Sequence, residues 1–383
     1  MKIVILTTDN REHFKDYGNP IPYFCTAPES LFKGFAVLPD LEVHVISCTQ
    51  QPTKSPVKLA DNIWFHGFHV PKSGWLRTFY QGCIRATRKK MAELKPDIVH
   101  AHGTERECAI SAVFSGFPNI VTIHGNMAEL ARLNHARFGS YGWLTARLEN
   151  FTLPRTAGVL CNSSYTEALV RPRAHKTWLM PHAMRPSFID PAPTNESRPC
   201  ALLVTGVITS RKRQLELLDV AEALHRQGLK FEFRFIGFTY SSDADYTAAF
   251  LKRIKPMEEA GYARYLGAPP DNELVQHFDA VSGLVHFPTE EAFGNVVVEA
   301  LARDLKFFGA RTGGIVDIAG DAPGAELFSG NDWTGLTDAI ARWIKQGHPR
   351  PIGAAALMRK RYHPETIARR HLEIYREVLS TRS

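Results

Sequence analysis

Short apolar runs rich in β-branched residues alternate with helical patterns along this chain, and the alternation breaks once and restarts. Residues 2–7, 41–48, 97–100, 120–123 and 158–161 read as strands, and 74–94, 104–114 and 141–153 as helices. Strands separated by helices pair in parallel, and a parallel sheet needs cover on both faces. A stretch rich in Pro, Ser and Asn, 186–199, interrupts the pattern and reads as a linker. Beyond it, strands are expected at 201–205, 231–236, 281–287 and 306–308, and helices at 214–227, 246–254 and 295–303. The fold expected is α/β: two Rossmann-like parallel-sheet domains, 1–187 and 188–363, facing each other across a cleft. A last helix, 364–380, follows His363-Pro364. Ligands of such sheets bind outside the carboxyl ends of the strands.

The most informative stretch follows the strand at 281–287. It runs Pro288-Thr289-Glu290-Glu291-Ala292-Phe293-Gly294-Asn295 and continues through Glu299. Gly294 and Asn295 stand where a helix should begin, and the free amides and positive dipole end of a helix start suit a phosphate. Glu291 before that point and Glu299 beyond it can accept hydrogen bonds from neutral hydroxyls. A phosphate between two hydroxyl-bearing rings, as in a nucleotide sugar, fits this layout.

A second polar cluster ends the strand at 201–205. Gly206 opens a turn that carries Arg211, Lys212 and Arg213 into the next helix. Cations at a strand-to-helix turn suit a diphosphate leaving group. In the first half, His100 and His102 before Gly103, and His124 before Gly125, sit just past strands. Glycine there allows close approach of a ligand, and histidine can donate to a hydroxyl or phosphate. No carboxylate or cysteine completes a metal set with these histidines. Asp243 and Asp245 form a D-x-D pattern, but capping of the following helix is the favoured reading.

These motifs resemble, in order and over nearly the whole chain, the retaining glycosyltransferases of family 4 (glycosyl transferases group 1). That family has the two-domain GT-B fold. The resemblance implies that Glu291 and the backbone of Phe293, Gly294 and Asn295 hold the donor sugar, and that Glu299 holds the ribose. It places His124 beside the donor sugar and Lys212 on the diphosphate. Gly206 and Gly125 match family landmarks. Asn162-Ser163-Ser164, Met180-Pro181-His182 and Thr312-Gly313-Gly314 match as well, and speak more of fold than of chemistry. The resemblance also implies that the terminal helix, 364–383, packs back on the first domain.

Two departures stand out. Val207 replaces the family's arginine, so Arg211 or Arg213 would have to substitute for it, or the contact is lost. Tandem glycines usually follow the first strand, whereas residues 7–28 hold only Gly18, in a segment rich in proline and aromatics read as an acceptor-shaping loop. The activity implied is transfer of a sugar from a nucleoside diphosphate sugar with retention and without a metal or other cofactor. A UDP sugar is favoured and a GDP sugar also fits; the acceptor would be a glycan, a lipid-linked or a small-molecule hydroxyl. A GT-B nucleotide-sugar epimerase, a phosphorylase-like enzyme and a non-catalytic nucleotide-sugar-binding paralogue remain as alternatives.

Charge and cysteine content narrow the partners. Net charge is +7 overall, all of it carried by residues 1–190. A basic first half would be drawn to anionic lipid head groups or an acidic glycan, or is an ordinary solvated surface. The aromatic and basic stretch Trp75 to Lys90 has the same two readings, membrane contact or packing on the sheet, with packing favoured. No basic block is interleaved with aromatics as a nucleic-acid groove would need. The six cysteines form no C-x-x-C pair, and no apolar run reaches the ~18 residues of a membrane span. A cytoplasmic location, peripheral to the inner membrane face if the basic surface is used, is the expectation.

Overall fold

The computed structural model describes residues 1–192, 198–239 and 243–381. Of the linker read at 186–199, residues 193–197 therefore lie outside the described residues. The chain divides into two compact units, 1–185 with 363–383, and 186–362.

The first unit is built on an eight-stranded sheet. Its strands are β1 (Lys2–Leu6), β2 (Glu42–Thr49), β3 (Lys58–Ala60), β4 (Ile63–His69), β5 (Ile98–His102), β6 (Asn119–Ile123), β7 (Val159–Cys161) and β8 (Thr177–Leu179). The order is β3-β4-β2-β1-β5-β6-β7-β8, parallel except for β3. Its central strands are buried and mostly apolar because both faces are covered. Ile3 and Ile5 of β1 pack with Phe35 and Tyr375 on one face, while Val4 and Leu6 pack with Met91 and Ala109 on the other.

The second unit holds a fully parallel six-stranded sheet: β9 (Ala201–Thr205), β10 (Glu232–Ile236), β11 (Ala263–Tyr265), β12 (Gly283–His286), β13 (Lys306–Ala310) and β14 (Ala325–Phe328). The order is β11-β10-β9-β12-β13-β14, so β9 and β12 are central neighbours. Two parallel sheets flanked by helices make this the two-Rossmann-domain GT-B type of fold.

The terminal helix, Pro364–Ser380, belongs to the first unit. It buries Ile367, Ala368, His371, Tyr375 and Val378 at helical spacing. It lies on the helix Thr26–Ala36, where a Cβ on Gly34 would stand 2.2 Å from the carbonyl oxygen of Pro364. Inside the core, the Tyr375 hydroxyl lies 2.7 Å from His100 Nδ1, and His100 Nε2 lies 2.7 Å from Thr122 Oγ1.

Three expectations are corrected. The helix read at 74–94 begins only at Gln81. Before it come two short 3-10 turns, Lys72–Gly74 and Leu76–Thr78, and the residues Phe79 and Tyr80 have φ of 49° and 60°. Burial of Trp75 and Tyr80 and the Trp75 Nε1 bond to Val70 O hold this turn, which brings Gly82 against Gly74. The segment 7–28 is not one loop. Asp9 caps a short helix, Asn10–Phe14, and the helix Thr26–Ala36 starts within it. Its organiser is Arg11, fully buried and ion-paired with Asp9, which also donates to the carbonyls of Asn19 and Lys54. Finally, Asp243 occupies the N-cap position of the helix Ala244–Glu259, but its side chain makes no capping bond there.

Tyr375→Phe should cost about 1–3 kcal/mol in denaturant unfolding, because it leaves a buried imidazole nitrogen without its partner. A change within error would mean that this bond does not secure the terminal helix.

Candidate functional site

In the second unit, two loops leave the carboxyl ends of the neighbouring strands β9 and β12 and are joined by hydrogen bonds. The β9 loop starts at Gly206, whose φ of 136° few other residues adopt. Buried Gln214 secures it: its Nε2 donates to Val207 O at 2.8 Å and its Oε1 accepts from Thr209 N at 3.2 Å. The loop then reaches the β12 loop. Thr289 N donates to Arg211 O at 2.9 Å, and Arg211 Nη1 donates to Glu290 O at 2.9 Å and lies 3.3 Å from Glu290 Oε2.

Next to this seam, Lys212 Nζ donates to Glu291 Oε2, and His286 Nε2 lies 2.8 Å from the same oxygen. His286 is the last residue of β12 and is 2% exposed; the Lys212 and Glu291 side chains are each 14% exposed. Burial opposes ionisation of Glu291, yet the Lys212 ammonium and the bond to His286 outweigh it and hold the carboxyl well below the usual carboxylate range. Burial first, then the charge of Lys212, lowers the pKa of His286, and its bond to Glu291 only partly offsets this. The resting state is therefore an ammonium–carboxylate pair with a neutral imidazole beside it.

A third loop braces Glu291 from behind. Gly314 N donates to Glu291 O at 2.9 Å. Gly313 has φ 52°, and a Cβ there would lie 1.8 Å from Glu291 O. The Gly-Gly pair is required by this backbone contact. Gly294, at φ 106°, caps the helix Asn295–Leu301. Phe293 is buried with its ring edge-to-face on Tyr362, so only its backbone faces the loop; Asn295 is half-buried and Glu299 is 1% exposed.

The basic turn divides its labour. Arg213 donates to Gly330 O and Asn331 Oδ1 and stacks 4.6 Å over the Trp333 ring, which commits it to the fold. Arg211 is committed to Glu290. Val207 is half-buried. Arg211 remains accessible, with its side chain 38% exposed. Sequence reasoning missed His286; the only signal was a polar residue in an otherwise apolar strand.

In the first unit, His124 follows β6. Its Nε2 lies 3.2 Å from His102 Nδ1 and its Nδ1 3.2 Å from His182 Nε2. Asn162 Nδ2 donates to His124 O at 3.4 Å and stands 3.5 Å from His182 Nε2. An amide donor at His182 Nε2 makes that nitrogen an acceptor, which places the His124 proton on Nδ1 and the His102 proton on Nδ1. Both ring nitrogens of His124 are used in this chain, so the three imidazoles do not converge on one point as metal ligands would. Burial, then the neighbouring imidazoles, keep His102 neutral; burial and His182 bring His124 down to about 3. His124 is thus a hydrogen-bonding group at neutral pH, not a cation. Gly125 adjoins it, and a Cβ there would meet the Met127 side chain at 2.9 Å. Gly18 stands in an exposed turn, where an added Cβ would meet nothing within 4 Å. Among the described residues, no group of three or more His, Cys, Asp or Glu is arranged to hold a metal.

The sequence matches family models along most of its length. Residues 38–182 match Glycosyltransferase Family 4, and residues 188–359 match Glycosyl transferases group 1. The chain belongs to this family of GT-B, nucleotide-sugar-dependent glycosyltransferases. A search of curated protein sequences gives no match. Among solved structures, the fold is similar to sucrose-phosphate synthase (tll1590) from Thermosynechococcus elongatus, at 14% identity over 100% of both chains with a TM-score of 0.74. It is similar to Anabaena Alr3699/HepE in complex with UDP and glucose, at 17% identity over 98% of this chain and 99% of that one, TM-score 0.68. A trehalose-6-phosphate synthase, solved for insight into glycosyltransfer with retention, is 13% identical over 98% and 99%, TM-score 0.71. At these identities the likeness is one of fold.

The neutral histidines make the first unit acid-sensitive. An imidazole held neutral in the fold, with its pKa lowered from about 6.5, contributes stability above pH ~6.5. That stability is lost as pH falls from there towards the folded value, about 3 for His124. Each such histidine adds about 1.4 kcal/mol per pH unit to the slope in this window. Denaturant titrations at pH 7, 6 and 5 should show that decline, and His124→Gln should flatten it. An unchanged slope in the variant would remove His124 from the neutral set.

Proposed function

We propose that this chain transfers a sugar from a nucleoside diphosphate sugar, with retention of configuration and without a metal, to a hydroxyl of a glycan, lipid-linked or small-molecule acceptor. The observation that carries the reading is the Lys212–Glu291 pair at the ends of β9 and β12. A cation and a hydroxyl acceptor lie side by side where a parallel sheet presents its ligand edge. UDP is the favoured nucleotide, supported by the UDP and glucose complex of the Anabaena relative in fold. Retention is supported by the subject of the trehalose-6-phosphate synthase structure.

In this reading Lys212 meets the diphosphate, and Glu291 with the backbone of Phe293, Gly294 and Asn295 holds the sugar. Glu299 serves the ribose. The bond from the anomeric carbon to the diphosphate oxygen breaks, and its electron pair leaves with the diphosphate. The acceptor oxygen forms the new bond on the same face, and its proton passes to the departing diphosphate. Lys212 stabilises the charge that develops there. With Val207 in place of the family's arginine, that burden falls more heavily on Lys212, supported by Arg211 beside it. The Val207 departure also favours the second reading, a paralogue that binds nucleotide sugars without transfer.

The basic first unit suits an acceptor in or near an anionic surface. Arg85, Arg88 and Lys89 are exposed, as is Phe79, whereas Trp75 and Tyr80 are buried and not offered to a membrane. No described helix is long and apolar enough to cross a membrane.

Lys212→Ala should lower transfer by roughly 100-fold or more, since an anion left without its cation in a partly dry site costs several kcal/mol. Glu291→Gln should lower turnover by about 10-fold or more while nucleoside diphosphate binding survives. Activity should persist in excess EDTA, and product NMR should show the donor's anomeric configuration. An inverted product would overturn the mechanism. Donor binding with no transfer to any acceptor would favour the non-catalytic reading.

A further inference from the structure

A bound diphosphate would compete with Glu291 for the Lys212 ammonium. We propose that His286 is the positioning residue that takes over Glu291 when Lys212 turns to the donor, and that it binds a proton as it does so. The proposal rests on the donor reading above and adds to it a residue and a proton.

The geometry carries the argument. Glu291 Oε2 has two partners among the described residues, Lys212 Nζ and His286 Nε2 at 2.8 Å. The backbone of Glu291 is fixed by Gly314 N and by the close passage of Gly313, so the carboxylate cannot follow Lys212 far. His286 is fixed as well, since it ends a central strand paired to β13 and is 2% exposed. Of the two anchors only the lysine, on a flexible four-carbon stem, is free to swing.

The charged groups that face His286 are Lys212, Glu291 and Arg211. Arg211 is tied to Glu290 on the adjoining loop and stays in place. While Lys212 is present its ammonium repels a second cation, and burial does the same, so the imidazole is neutral. When the ammonium moves to a dianionic diphosphate, His286 loses that repulsion and keeps the Glu291 carboxylate as its partner. The half-dry carboxylate then keeps only the field of Arg211, and protonation of the imidazole restores a countercharge in contact with it. Nothing is oxidised or reduced; one proton passes from solvent to the imidazole, and one hydrogen bond becomes an ion pair. Glu291 then remains ionised and aimed while the sugar is bound.

A neutral bystander histidine would predict no proton linkage. Calorimetry in buffers of different ionisation enthalpy measures protons taken up on binding. UDP-glucose and GDP-mannose serve as probes, because neither ionises near neutral pH. The wild-type protein should take up a substantial fraction of a proton per donor bound at pH 7. His286→Gln keeps a neutral donor near Glu291 but cannot be charged. It should bind the probe with no proton uptake and lose roughly 10-fold in kcat, with KM changed less. His286→Leu removes the bond too and should lose more. The Gln variant also guards against misfolding, because it must still bind the probe. If wild type and His286→Gln take up the same protons, or neither takes up any, the proposal is wrong and the donor reading stands. If neither probe binds the wild-type protein, the donor reading falls and the proposal falls with it.

Discussion

The contact between the Lys212 ammonium and the Glu291 carboxylate is the interaction on which the proposed chemistry of the second unit depends. Opposite charges held beside one another at the carboxyl ends of β9 and β12 require both loops to keep their shape. The surrounding bonds do this. Arg211 binds Glu290, Gln214 staples the start of the β9 loop, and Gly314 holds the Glu291 carbonyl. Each contact is modest in isolation, at about 0.5–1.5 kcal/mol net, but together they fix a pair that water and entropy would otherwise separate.

Much of the fold was legible because a buried parallel sheet leaves a strong signature. The runs at β1 and β9 are apolar on both faces, and only a doubly covered strand tolerates that. The edge elements were less legible. β4 carries Trp64, His66, Gly67 and His69 among its apolar residues, so its pattern is that of a half-covered strand near an edge. β8 and β11 have three residues each, too few for a period to declare itself. The break before Gln81 was hidden because it depends on two residues at positive φ, tolerated only because Trp75 and Tyr80 are buried around them.

At the candidate site, residue type told which groups carry chemistry but not which partners they keep. Glu291 and Lys212 were named from their places after strands, and in the fold they touch. Arg211 and Arg213 looked equivalent in sequence. The fold gives one to the neighbouring loop and the other to Gly330, Asn331 and Trp333, across more than a hundred residues of chain. His286 could not be found that way, since a lone histidine inside a strand is usually a satisfied core group, and its partner is set by register and loop shape. The histidines of the first unit behave differently again: His102, His124 and His182 form a hydrogen-bonded chain in which burial keeps His102 and His124 neutral.

The central claim is that the donor's diphosphate is held by the loops after β9 and β12. Amide hydrogen exchange, with and without saturating UDP, tests it most directly. The account predicts slowed exchange concentrated in residues 206–213 and 291–298. Protection that spares both segments while UDP is demonstrably bound would contradict it.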